Sequence, residues 1–212
     1  MRIVTFDRRQ LDAELASSLR SQDALVAWLR AFEWVDPEQP SLLPDWTVGH
    51  VLTHIARNAD SHRDLLDGRP QYPSVESRNA DIEAGARRGW QELVTDVATS
   101  AAALGERWAT VTDWTVTAAM LSGSRPRHML PILRQREVEV HRADLGLGYD
   151  FADMPGDYVR KDLRLMEMLW RARKPMGMTP LPDATLRLPP PTRLAWMMGR
   201  AEIDGLPPAN LF

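Results

Sequence analysis

The chain of 212 residues contains no cysteine. That excludes disulfides, cysteine-ligated zinc and a cysteine nucleophile, so thiol chemistry here would need a thiol brought in from outside. Lysine is nearly as scarce: Lys161 and Lys174 are the only two among 26 basic residues, leaving 24 arginines. Neither sign of charge is in large excess, with a formal net charge of −3 and a pI near 6.0, so no global attraction to nucleic acid or an anionic membrane is expected. No apolar run reaches the ~18 residues of a membrane span. The opening Met1-Arg2-Ile3-Val4-Thr5-Phe6-Asp7 is too short and too quickly charged for a signal peptide, and a cytoplasmic protein is expected. Internal repeats, a P-loop, a Gly-rich dinucleotide motif and low-complexity tracts are also missing.

What is present is helical periodicity. Leu11, Leu15, Leu19, Val26, Leu29 and Phe32 predict a first helix from Asp7, its N-cap, to Phe32. Pro37 and Pro40 end it, and Thr47 caps a second helix over Val48 to Leu66. Ile82, Trp90, Leu93, Val97, Ala101 and Leu104 form the inward stripe of a single third helix from Arg78 to Ala109, weakened by Gly85 and Gly89. Val111 to Thr117 alternates as a short strand, Ser122 to Arg127 reads as a loop, and a fourth helix starts near Pro126. Asp153 to Asp157 opens a fifth helix. The proline-dense stretch from Met178 to Pro191 has room for one short strand, Ala184 to Leu188, before a last helix over Thr192 to Arg200. These elements predict a mainly α protein: a mostly antiparallel four-helix bundle over residues 1–150, and a short C-terminal subdomain, α with a little β, over 151–212 packed on it. The eight tryptophans are expected in the core or in pocket walls.

The chemistry lies in Arg134-Gln135-Arg136-Glu137-Val138-Glu139-Val140-His141-Arg142-Ala143-Asp144-Leu145-Gly146. On a helix, Glu137 and His141 project from one face a turn apart, as a chelating pair. The ordinary reading of such a pair is a solvated contact worth a few tenths of a kcal/mol. Against that reading stands the apolar run Met129 to Leu133, which buries part of the helix. A buried carboxylate facing histidines calls for a compensating charge, which a divalent cation provides. The third ligand would come from His50-Val51-Leu52-Thr53-His54, where two histidines share the same spacing; either completes a His2Glu set, a common one for catalytic zinc. His62 reads as a surface residue near a helix end, and His128 as part of a surface turn. Asp144 either orients the His141 imidazole or is simply the polar end of the helix before Gly146.

Taken together, Ser41-Leu42-Leu43-Pro44-Asp45-Trp46-Thr47 followed by His54, then Ser77-Arg78-Asn79, then Arg136-Glu137-Val138-Glu139-Val140-His141-Arg142-Ala143-Asp144-Leu145-Gly146, resemble the mycothiol-dependent maleylpyruvate isomerases, members of the DinB-like metal-binding four-helix bundles. The resemblance covers residues 8 to 150, and Leu194 to Arg200 is similar to the end of that family's C-terminal subdomain. It implies a DinB-like bundle with zinc or another divalent ion on His54, Glu137 and His141, which selects His54 over His50. It further implies a functional arginine at Arg78, placed to grip a substrate carboxylate with a planar fork. The implied reaction is the isomerisation of maleylpyruvate to fumarylpyruvate in aromatic degradation, with a low-molecular-weight thiol, mycothiol, as cofactor and a monomer or dimer as the working form. Two rivals use the same residues: a thiol S-transferase or zinc hydrolase, and a non-catalytic metal-binding stress protein. One departure stands out. The C-terminal part reads as shortened, with one strand where the family carries a fuller α/β subdomain.

Overall fold

The Asp7 carboxylate accepts from the backbone N–H of Arg9 at 2.9 Å and so starts α1, Arg8–Arg30. The structure, a computed structural model, describes residues 7–174 and 179–211. Met178 therefore lies outside the described residues. Contacts divide the chain into two units, Met1–Leu147 and Gly148–Phe212.

In the first unit, α2 spans Val48–Leu66. Thr47 Oγ1 accepts from His50 N–H, and His50 Nδ1 accepts from Thr47 N–H at 3.2 Å, so histidine takes the place usually held by Glu in a capping box. Val48, Val51, Leu52, Ile55, Ala56, Ala59, Leu65 and Leu66 are all buried, as expected of a helix enclosed by others. The single long helix expected over Arg78 to Ala109 is instead two: α3, Val75–Ala86, and α4, Trp90–Ala109. Gly89 is extended (φ −63°, ψ 155°) and acts as the N-cap of α4, with Glu92 Oε2 accepting its N–H at 3.1 Å. The break is thus a helix start, not a weak point within one helix.

Of the strand expected over 111–117, only Thr117 is in a strand. Asp113 Oδ1 accepts from both the N–H and the hydroxyl of Thr115, at 2.8 and 2.7 Å, and this side-chain turn interrupts the alternation. Pairing begins later, in the hairpin β1 (Thr117–Met120) and β2 (Gly123–Pro126), which takes in residues expected to be loop. Ala118 faces Arg125, and Gly123 at φ +103° closes the two-residue turn. A 3₁₀ turn, Arg127–Met129, leads into α5, Leu130–Asp144, which ends at Gly146 with φ +69°.

The four long helices α1, α2, α4 and α5 make a bundle in which α2 packs on α4 and α5, and α1 on α5 and α4. The expectation of a mostly antiparallel bundle fails for two of these pairs. Ser17 meets Gln135 and Ser21 meets Glu139, so α1 and α5 run parallel. Arg57 meets Asp96, Asp60 meets Ser100 and Leu66 meets Arg107, so α2 and α4 do too. Parallel neighbours need a long return connection, and α3 with its flanking turns provides one. Two apolar clusters fill the bundle, one around Leu29, Leu52, Ile55, Leu93 and Val138, the other around Leu11, Leu65, Leu104, Trp108 and Leu130. Between them lies a buried polar belt. In it Arg134, fully buried, donates from Nε to Gln22 Oε1 at 3.1 Å and from NH1 to the Ile55 carbonyl and Asn58 Oδ1, both at 2.8 Å. Its NH2 has no protein partner among the described residues.

α3 crosses α2 at Gly49, where a Cβ would stand 2.0 Å from the Ala86 carbonyl oxygen. Gly49→Ala is therefore expected to push α3 off α2 at a cost of about 1–3 kcal/mol, read as a lower urea midpoint at unchanged slope. An unchanged midpoint would show that the crossing is soft.

In the second unit, α6 (Gly156–Arg171) packs on α8 (Pro190–Met197), with the Trp170 and Trp196 rings 5.2 Å apart. Each indole N–H has a carbonyl acceptor, Pro180 for Trp170 and Pro207 for Trp196, at 2.9 and 3.1 Å. The strand expected at Ala184 to Leu188 is instead a single helical turn, α7, Asp183–Leu186, held by the Thr185 hydroxyl donating to the Pro182 carbonyl at 2.7 Å. Prolines bracket the segment on both sides, and among the described residues of this unit no strand exists to pair with it.

Candidate metal centre

His54 lies two turns into α2 and is 4 % exposed. Its Nε2 faces Glu137 Oε2 at 2.9 Å and His141 Nε2 at 3.1 Å, both on α5, and Glu137 Oε2 stands 3.6 Å from His141 Nε2. Among the described residues, this is the group of three able to hold a metal ion, with its ligand atoms within 4.8 Å of one another. A tetrahedral zinc with ligands at about 2.0–2.1 Å separates them by roughly 3.3 Å. The three observed spacings bracket that value, so the donor set fits the ion.

The neighbours hold these side chains in place. Asp144, 2 % exposed, accepts from His141 Nδ1 at 2.8 Å, which turns the Nε2 edge of the ring toward the other two ligand atoms. Of the two readings of Asp144, the geometry shows the orienting contact. The loop from Ser41 to Thr47 is pinned to the end of α5 by Leu42 N–H donating to the Asp144 carbonyl at 2.8 Å. Asp45 in this loop takes a left-handed φ of 61°, a conformation Asp tolerates better than most residues. The turn sets the Trp46 ring 5.5 Å from the His54 ring at 62°. Arg78, in the second turn of α3, donates from NH2 to His54 Nδ1 at 3.1 Å and from NH1 to Asn79 Oδ1 at 3.0 Å. Its guanidinium carbon lies 5.9 Å from the Trp46 ring centre and 6.0 Å from that of Tyr72.

The other histidines lie apart from the three. His50 Nε2 meets Glu83 at 3.0 Å while its Nδ1 serves the helix cap. His128 is half-buried in the 3₁₀ turn. His62, expected at the surface, is fully buried, because α2 is enclosed along its whole length. Arg134 and Tyr72 were not singled out from sequence. Arg134 precedes Glu137 by three positions and His141 by seven, a helical spacing that places it on their face; Tyr72 lies in a turn-rich connection with no comparable signal.

Burial pushes His54 down to about 4, with the Glu137 carboxylate opposing, and pushes His62 down to about 3, with Arg134 adding to the effect. Burial opposes the charged form of His141 too, but hydrogen bonds to Asp144 and Glu137 outweigh it and raise the residue to about 9. Burial likewise works against ionised Glu137, yet the two histidines hold it well below the usual carboxylate range. For His54 and His62 the unfolded chain binds more protons below pH 6.5, so stability falls as pH drops from there toward 4. The contribution of His141 has the opposite sign, present below pH 6.5 and lost as pH rises through about 9. Metal-free protein is expected to lose up to about 1.4 kcal/mol per pH unit per buried neutral histidine on the acid side. Denaturation from pH 7 to 4 checks this, and a His62→Gln slope equal to the parent's would remove His62 from the account.

The family model described as the mycothiol maleylpyruvate isomerase N-terminal domain matches residues 18–146. Among solved structures, the chain is similar to the mycothiol-dependent maleylpyruvate isomerase, at TM-score 0.76 and 22% identity over 90% of each chain. A histidine-to-alanine mutant of the mycothiol-dependent maleylpyruvate isomerase gives TM-score 0.78 and 21% identity over the same shares. No curated protein matches the sequence significantly. A likeness over 90% of both chains continues beyond the 147 residues of the first unit.

Proposed function

Because the chain belongs to the mycothiol maleylpyruvate isomerase N-terminal domain family, we propose that it is a zinc- and thiol-dependent cis–trans isomerase converting maleylpyruvate to fumarylpyruvate. His54, Glu137 and His141 would hold the ion. The observation that carries the reading is Arg78. Its guanidinium reaches the ligand cluster through His54 at 3.1 Å, yet it cannot itself be a ligand. A bundle that merely stores metal has no use for a cation there, whereas an enzyme acting on a carboxylate does.

Rotation about a carbon–carbon double bond requires that it become temporarily single. When bound, zinc would lower the pKa of a low-molecular-weight thiol, mycothiol in this reading, whose sulfur supplies the nucleophile that adds and leaves. The chain's own groups do the rest. Arg78 grips a substrate carboxylate with two parallel hydrogen bonds and stabilises the negative charge that develops on addition. The Trp46 and Tyr72 rings, with centres 5.9 and 6.0 Å from the guanidinium carbon, attract the cation. Asp144 keeps His141 in one tautomer throughout. No helix among the described residues is long and apolar enough to cross a membrane.

Zinc-loaded protein given maleylpyruvate should turn it over only with added mycothiol or, less well, glutathione. Turnover that is indifferent to thiol would point to a hydrolase, and no turnover with any thiol would leave the isomerase reading without support.

A further inference from the structure

The two ligating histidines are not equally ready for a metal. The Nδ1 of His141 faces an acceptor, Asp144 Oδ2 at 2.8 Å, so Nδ1 keeps its proton and Nε2 is the nitrogen a metal would take, by displacing the second proton. The Nδ1 of His54 faces Arg78 NH2 at 3.1 Å instead. A guanidinium carries five N–H donors and no acceptor, so Nδ1 must be the accepting nitrogen and the ring proton belongs on Nε2, directed at the Glu137 carboxylate 2.9 Å away. A neutral imidazole that ligates through Nε2 needs the reverse tautomer, with its proton on Nδ1. That proton would point at an Arg N–H, donor against donor.

Resting on the metal reading above, we propose that Arg78 and the metal ion compete for His54, so that loading the site turns the guanidinium away from Nδ1 and frees it for a substrate anion. Like charge works in the same direction, since a divalent cation and a guanidinium would share one imidazole. Arg78 has an anchor to keep while it turns, because NH1 remains on Asn79 Oδ1 at 3.0 Å. The two aromatic faces near its guanidinium carbon accept a cation over a range of positions. The coupling is reciprocal: whatever draws Arg78 off His54 tightens metal binding, and bound metal readies Arg78 for an anion.

The test is zinc affinity, measured by competition with a chromophoric chelator in the parent, Arg78→Met and Arg78→Lys proteins. Arg78→Met, which removes the donor and the charge but keeps an extended side chain, should bind zinc about tenfold tighter, the scale of losing one charge-assisted hydrogen bond. Arg78→Lys, which keeps a cationic donor, should stay within about threefold of the parent. Parent protein that binds zinc while Arg78→Met binds it equally or less tightly overturns the competition and leaves the metal reading standing. Parent protein that binds no zinc overturns both. Nitrogen-15 spectra of the His54 ring give a second readout without any variant. Metal-free protein should show the proton on Nε2 and zinc-loaded protein on Nδ1; a proton on Nδ1 before metal is added refutes the proposal.

Discussion

Replacing His54 with alanine is expected to remove zinc from the site and thiol-dependent turnover with it, while the helices remain. His54 is the one contribution of α2 to the cluster; without it, only Glu137 and His141 remain, both on a single helix. Loss of an outer hydrogen-bond partner alone typically costs 10–100-fold in metal affinity, so loss of a ligand should exceed about 100-fold. The bundle should survive, because the apolar contacts of α2 lie in Leu52, Ile55 and their neighbours. Metal content after dialysis, circular dichroism and turnover, measured on one preparation, check this. His54→Ala protein that keeps stoichiometric zinc would exclude His54 as a ligand.

The second large effect belongs to Arg78→Lys. Lysine keeps the charge but loses the planar fork, so a carboxylate held by two parallel bonds would be held by one rotating point charge. A loss of about 1.5–3 kcal/mol in transition-state stabilisation corresponds to a fall in kcat/KM of about 10- to 100-fold. Zinc content and folding should stay near the parent's. Unchanged kcat/KM would remove the carboxylate grip from the mechanism. If KM alone rose, Arg78 would bind ground and transition states alike.

How far such features can be read from sequence depends on whether the physics is local. Thr47 caps α2 through a side chain three residues from its partner, and Val48 and Leu66 bound the helix just as that cap and the apolar spacing imply. Glu137 and His141 share a face because four residues make about one turn. That His54 faces them is set by the antiparallel packing of α2 on α5, which no spacing encodes. Gly89 misled because glycine both weakens a helix and starts one; the Glu92 three positions later was the available sign. The Asp113 turn defeated the alternation that suggested a strand, and the hairpin formed where the strands could pair. The polar neighbours of His62 resemble a surface, yet α3, α4 and α5 all pack on α2 and bury it. The parallel pairing of α1 with α5 and of α2 with α4 depends on the path of α3 across the bundle, which is the least local property of all.

Arg134 also bears on how the bundle assembles. Its three hydrogen bonds reach α1 through Gln22 and α2 through Ile55 and Asn58, while the side chain springs from α5. Sliding any of these helices by one turn would strand a guanidinium in the dark of the core, a far larger penalty than a mispacked leucine. The residue therefore acts as a checksum on assembly: three helices dock together in one register or not at all. Amide hydrogen exchange on α1, α2 and α5 around this belt is accordingly expected to show a single shared opening event, with Arg134→Met letting the three helices open separately.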